Sequence, residues 1–208
     1  ERWRNARTAT KLLVFSGLLI ALIVAVGVVG VSGISSIKRV TEDMGNEDIP
    51  SLQDLLEMQV GMNEVLVGTR GLCIGRIFKN PTIRQAQFDY IAGTGQYEGS
   101  GFSRCDANIE SYEKVPKSAE EERLWAQFKG QYQAFKDETE LFVSKAREYE
   151  RLLASGADED DPRVEKLDTE IEDIMLSARE KWKPANATIN ELVALTEAEA
   201  AEAVSSAR

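Results

Sequence analysis

An uncharged run of 26 residues, Leu12 to Ile37 (LLVFSGLLIALIVAVGVVGVSGISSI), limits what this chain can fold into more than any other feature. Wound as a helix at about 1.5 Å per residue, it would reach roughly 39 Å, beyond the roughly 30 Å of hydrocarbon in a bilayer. Arg2, Arg4, Arg7 and Lys11 precede it against the single acid Glu1; Lys38 and Arg39 follow, then Glu42, Asp43, Glu47 and Asp48. Basic N-terminal flanks stay in the cytoplasm, so residues 1–11 are expected there, 12–37 across the bilayer and 38–208 beyond it. A cleaved signal peptide has an apolar core of only about 7–15 residues, and Val31-Ser32-Gly33 only weakly imitates a cleavage site. A buried core helix is also apolar all round, but rarely so long or so bracketed by basic residues. Gly17, Ala21 and Ala25, four apart, either let a second helix approach or reflect the ordinary composition of such helices.

Charge bounds the remainder. Residues 1–39 carry six basic residues and one acidic, leaving 19 and 34 in residues 40–208, a net of −15. So acidic a segment does not seek nucleic acid or an anionic lipid surface. The chain has no histidine, which removes the commonest general base and metal ligand. No catalytic constellation, metal site or cofactor motif is read from it, and an enzyme is not expected.

Beyond the span the pattern is helical. Ser51 can cap a first helix with Asp54 in its first turn. Leu52, Leu55, Met62, Leu66, Thr69 and Cys73 form its apolar stripe, and Asn80-Pro81 predicts an end near Lys79. This helix is expected to continue from the span, interrupted near Gly45. A second helix starts at Pro81 or Thr82, with Ile83, Gln87 and Tyr90 opening its face and Ile109 and Tyr112 closing it. Gly93, Gly95, Gly99 and Gly101 weaken its middle, read as a distortion in preference to a break. Ser118 and Glu121 match a capping box. Trp125, Phe128, Tyr132, Phe135, Thr139, Phe142, Ala146, Tyr149 and Leu153 then alternate steps of three and four, a row expected to be core in preference to a ligand groove. Pro162 opens a fourth helix along Val164, Leu167, Ile171, Ile174 and Ala178. At Pro184 the stripe slips to Ile189, Leu192 and Leu195, where a kink is expected. The tail EAEAAEAVSSAR carries no stop signal, so this helix is expected to run onward.

The opening ATKLLVFSGLLIALIVAVGVVGVSGISSI, with DIPSLQDLLEMQVGMNEVLVGTRGL, NPTIRQAQFDYI, IESYEKVPKSAEEERLWAQF and AREKWKPANATINELVALTEAEAAEA, resembles the N-terminal region of bacterial methyl-accepting chemotaxis proteins. The resemblance implies an all-α chain: a transmembrane helix followed by an antiparallel up-down-up-down four-helix bundle in the periplasm, anchored in the inner membrane. It implies a homodimer packed through the first helix. It implies a ligand, either a small molecule or a loaded periplasmic binding protein, near the membrane-distal end. Binding would shift the fourth helix, and a C-terminal part beyond this chain would engage a cytoplasmic kinase complex. The same sensor could instead feed a histidine kinase or a cyclic-dinucleotide enzyme; an exported enzyme or electron carrier on a bundle scaffold is the remaining alternative.

In aspartate-type members arginines capture carboxylates, which marks Arg70, Arg76 and Arg84 as ligand-binding candidates here. Trp182, with Lys183, is a candidate on the fourth helix. Cys73 and Cys105 are expected to remain apart. About seven residues before the turn and about twenty-five after it, they would differ in height by nearly 27 Å, against Cα atoms within about 7 Å in a disulfide.

Overall fold

The computed structural model describes residues 49–74, 80–158 and 160–206, with Leu22, Val24, Lys38, Glu42 and Gly45 as single positions. The expected span therefore lies outside the described residues except for Leu22 and Val24, both helical and exposed. Among the described residues, no helix is long and apolar enough to cross a membrane. Gly45 has π-helical backbone, an irregularity where an interruption is expected. The chain divides into two compact units, Glu1–Asn46 with Ala200–Arg208 and Glu47–Glu199. In the first, Lys38 pairs with Glu42 one turn on, at 3.6 Å. The remaining description concerns the second.

All described elements are helical: α1 (Ile49–Leu72), α2 (Pro81–Ala92), a 3₁₀ turn (Gly95–Tyr97), α3 (Gly101–Glu113), α4 (Ala119–Ala154) and α5 (Pro162–Ser206). In α1, Ser51 is not a cap. It lies buried inside the helix, because Pro50 needs no hydrogen bond in a first turn and the helix is already formed at Ile49. The other end also differs from expectation. The Cys73 and Ile74 amides donate to the Arg70 and Gly71 carbonyls at 3.1 and 3.2 Å, a tightened turn that closes the helix at Leu72 and not near Lys79.

Leu55, Met62, Leu66 and Thr69 are buried as the stripe predicts, whereas Leu52 is half-buried and Cys73 exposed. Met58 and Val65 join the core, together with Gly61, Gly68 and Gly71. A Cβ on Gly61 would meet the Gly101 carbonyl oxygen at 2.8 Å and the Cys105 Sγ at 2.6 Å; one on Gly68 would meet Ile91. Glycine is needed because α1 lies directly against α2 and α3. The apolar-stripe pattern cannot reveal this, since it counts side chains and these contacts depend on having none.

The glycine cluster breaks the second helix in place of distorting it. Asn80 caps α2, its Oδ1 accepting from Thr82 and Ile83 at 3.0 and 3.2 Å. The helix ends at Gly93, which takes a left-handed φ of 74°; Gly95 and Gly99 also have positive φ before α3 begins, as does Gly101 at its first residue. Ile91 faces Gly68 of α1 and Gly101 faces Glu64, so ten residues of chain cover the height of about one turn of α1. The surplus loops out between Gly93 and Ser100, and α3 then resumes along α1. The buried face of α2 is Arg84, Phe88 and Ile91, one residue on from the predicted Ile83, Gln87 and Tyr90; Ile83 is exposed. Tyr112 is fully buried and Ile109 packs against the core.

The remaining helices follow the sequence closely. Ser118 Oγ accepts from the Glu121 amide at 3.3 Å while Glu121 Oε2 accepts from the Ser118 amide at 2.9 Å, a complete capping box. The aromatic row of α4 is core from Trp125 to Ala146, with Tyr149 and Leu153 half-buried. Trp125 stacks on Phe128 and Phe128 on Tyr132, with centroids 5.4 and 5.9 Å apart. Helix α5 runs unbroken through Pro184, which sits exposed where water can replace the missing donor's role. Below it Ala185, Thr188, Ile189, Leu192 and Thr196 are buried, and Leu195 only partly.

Cross-helix contacts fix directions. Arg104 of α3 pairs with Glu57 and Glu64 of α1. Tyr132 of α4 donates to Asp106 of α3 at 2.8 Å, and Arg147 of α4 stands 3.6 Å over the Phe88 ring of α2. Lys145 of α4 reaches Glu170 of α5 at 3.0 Å, and Thr196 lies 3.2 Å from Glu121. Rising numbers on one helix meet falling numbers on its neighbour in each case, so successive segments run antiparallel. Leu72, Cys73 and Arg84 share one end with residues 145–158 and 160–175; Ile49, Glu113, Ala119 and Glu199 belong to the other.

Candidate functional site

Leu72, Cys73 and Arg84 share an end of the helices with residues 145–158 and 160–175, and there a recess and a groove open among the described residues. Leu72 and Cys73 from the close of α1, Tyr149 from α4, and Asp168, Ile171, Glu172 and Met175 from α5 line a recess of about 230 Å³. The apolar members belong to the core stripes of their helices, ending where α1 stops early. The polar members flank those stripes: Asp168 and Glu172 lie one turn apart on α5. Cys73 Sγ touches Met175 Sδ at 3.4 Å. Although Cys73 is exposed as a residue, burial of its thiol, reinforced by the Asp168 and Glu172 carboxylates, pushes its pKa up to about 11. It is a poor nucleophile there.

Across α5, a more open groove of about 610 Å³ is lined by Lys145, Glu148, Arg151, Arg163, Lys166 and Glu170 among others. Its cations are largely engaged. Lys145 bridges Glu148 and Glu170 at 3.4 and 3.0 Å, Lys166 reaches Glu170 at 3.7 Å, and Arg163 holds Asp161 at 2.6 Å. The Arg163 guanidinium and amide keep the Asp161 carboxyl near pKa 2.

The flagged residues do not converge. Arg84 is buried, its Nε and Nη2 donating to Glu150 Oε1 at 3.0 and 2.7 Å; Arg147 donates to Glu150 Oε2 at 3.1 Å and to Gln85 at 2.8 Å. Burial alone would raise the Glu150 pKa, but the two arginines outweigh it and hold it below the ordinary value. Arg84 thus has an internal carboxylate partner. Arg70 is exposed on the last turn of α1. Arg76 lies outside the described residues. Trp182 is half-buried at the level of the middle of α1, and its buried indole N–H meets no acceptor among the described residues. Lys183 pairs with Glu180 at 2.5 Å.

Asp168, Glu172 and Tyr149 are therefore the side chains that reasoning on arginines passes over. Their spacing beside Leu167, Ile171 and Met175 was a usable signal: acids at i and i+4 flanking an apolar stripe sit at a helix–helix edge. Among the described residues, no group of histidine, cysteine and acidic side chains is arranged to hold a metal. Both cysteines are free, Cys105 being buried against Gly61 and the Met58 carbonyl, where burial pushes its thiol up to about 12.

Comparison with protein-family models, curated proteins and solved structures finds no match for this chain.

Proposed function

We propose that this chain is the sensing portion of a membrane receptor of the chemotaxis-transducer type. In this reading α1, α2 with α3, α4 and α5 form an up-down-up-down four-helix bundle outside the inner membrane, and the run 12–37 is its anchor. The observation that carries it is the position of the 230 Å³ recess, walled by α1, α4 and α5 at the end away from Ile49, where the chain leads back to the apolar run. A ligand seated there would touch both the first helix and the last, the pair whose relative shift a spanning receptor transmits. It can shift that equilibrium only by its differential affinity for the two arrangements.

The contacts of α5 suit such a movement. Gln59 Nε2 donates to Asn186 and Asn190, one turn apart, at 3.2 and 2.8 Å. Thr188 accepts from Gln127 at 3.1 Å and donates to Gln131, again one turn apart, at 2.8 Å. Each key has two partners along the axis, so a small slide exchanges hydrogen bonds without stranding a donor. Ile49, Leu56, Val60 and Val67 leave an exposed apolar stripe on α1, spaced by sevens and a four, which fits a second copy of the chain in a homodimer. The output is a cytoplasmic kinase complex, reached through a part beyond this chain.

The test is a fusion of residues 1–208 to the linker and signalling domain of a chemotaxis receptor, expressed in a bacterium lacking its own receptors. A compound from a panel of amines, amino acids and organic acids should change swimming bias, and Ile171→Trp, which fills the recess, should abolish the response. An inserted, helical fusion that answers nothing in the panel would count against the reading.

A further inference from the structure

The resemblance points to arginines and hence to a carboxylate ligand, but the lining of the recess has the opposite sign. Asp168 and Glu172 both line it, and among the described residues neither enters an ion pair, whereas Glu170 between them is shared by Lys145 and Lys166. Among the described residues, no basic side chain lines the recess. The rest of the wall is the Tyr149 ring, the Leu72 and Ile171 side chains, and the sulfurs of Cys73 and Met175. Burial of the Cys73 thiol, just past the end of α1, raises its pKa, and the Asp168 and Glu172 carboxylates of α5 across the opening raise it further.

A carboxylate ligand would lose hydration on entry and meet two like charges. A small organic cation meets complementary groups on every side. Carboxylates attract its charge, the aromatic face attracts it through the ring quadrupole, and methyl groups displace water from leucine, isoleucine and methionine. At about 230 Å³ the recess lies below the roughly 300–1,000 Å³ of pockets for drug-sized ligands, so the cation is small. We propose that the recess between α1, α4 and α5 binds a small ammonium compound, with Asp168 and Glu172 as its counter-charges and Tyr149 as its aromatic wall. This rests on the recess being the sensing site and adds the class of ligand.

The test is calorimetric titration of the full chain in detergent with three probes of matched shape: choline, its uncharged carbon analogue 3,3-dimethylbutan-1-ol, and the anion 3,3-dimethylbutyrate. Choline should bind saturably and at least tenfold more tightly than the alcohol, and the anion should not bind. Its affinity should fall at least tenfold in the Asp168→Asn, Glu172→Gln double variant, whose changes are at exposed positions and should leave the helical circular dichroism unaltered. Equal affinity for choline and the alcohol, or choline binding unchanged in the double variant, overturns the assignment of charge. If the alcohol binds as tightly as choline, or the anion binds, and Ile171→Trp abolishes that binding, the recess survives as a site and the ammonium assignment falls. If none of the three binds, the proposal is overturned and the recess loses its support as the sensing site.

Discussion

Where α1 meets α2 and α3, Gly61, Gly68 and Gly71 remove the side chains between the helices: the backbone of α3 stands where a Cβ on Gly61 would go, and the Ile91 and Gln87 side chains of α2 where those on Gly68 and Gly71 would. Where α5 meets α1 and α4, buried Ala185, Ile189 and Leu192 are joined by hydrogen bonds from Gln59 to Asn186 and Asn190 and between Thr188 and Gln127 and Gln131, the partners in each set lying one turn apart. The first seam is steric and admits one register. The second combines those buried side chains with polar keys at its edge, and each key meets two partners one turn apart. Under the proposed function, α1 with α2 and α3 is the fixed part and α5 the helix that shifts against it.

The largest expected effect lies in the fixed seam. Gly61→Val gains helix propensity but drives a branched side chain into the Gly101 carbonyl and Cys105; a cost of about 3 kcal/mol is expected, measured by urea unfolding. A neutral result would show that the seam is slack. Next comes Arg84→Ala, which removes one of two arginines from Glu150 and should cost about 2 kcal/mol, less than the loss of a fully buried pair because Arg147 remains.

The same ion pair sets a pH dependence. The folded pKa of Glu150 is depressed below its ordinary 4.5, so its stabilising contribution is present above that value and lost as pH falls through the lower folded value. Glu150→Gln should therefore be less stable than the parent at neutral pH, and the gap should close on acidification below the ordinary glutamate range. A gap that does not change with pH would mean the pair contributes by packing alone.

Gly130→Ala provides the contrast within α4, away from either seam. Nothing lies within 4 Å of a Cβ there, so the variant should gain about 1 kcal/mol from helix propensity. Smallest is Gln59→Ala in the polar seam, where part-exposed hydrogen bonds are replaced by water and about 0.5 kcal/mol is expected.

The sequence reads best where periodicity and burial coincide. The α4 row from Trp125 to Ala146 and the Ser118–Glu121 cap are legible because both depend on side chains that are present at fixed spacing. The break at Gly93–Gly101 is half legible: the glycines announce it, but whether packing holds a strained helix together depends on α1, which accepts α3 only after the surplus chain loops out. The one-residue rotation of α2 arises because Arg84 is drawn inward by Glu150, a partner 66 residues away in sequence. The recess was not legible as a site, because it lies at the close of α1 at Leu72 while the Asn80-Pro81 turn signal points later.

The most direct measurement is a pair of spin-label distance distributions by double electron–electron resonance on the full chain. The background is Cys73→Ser, with the buried Cys105 left in place. Labels at Gln53 and Ser111 span the glycine seam, and labels at Gln53 and Ala194 span the polar one. The second distribution should be the broader. Equal widths, or a broader α1–α3 distance, would contradict a fixed pair of helices against which α5 moves.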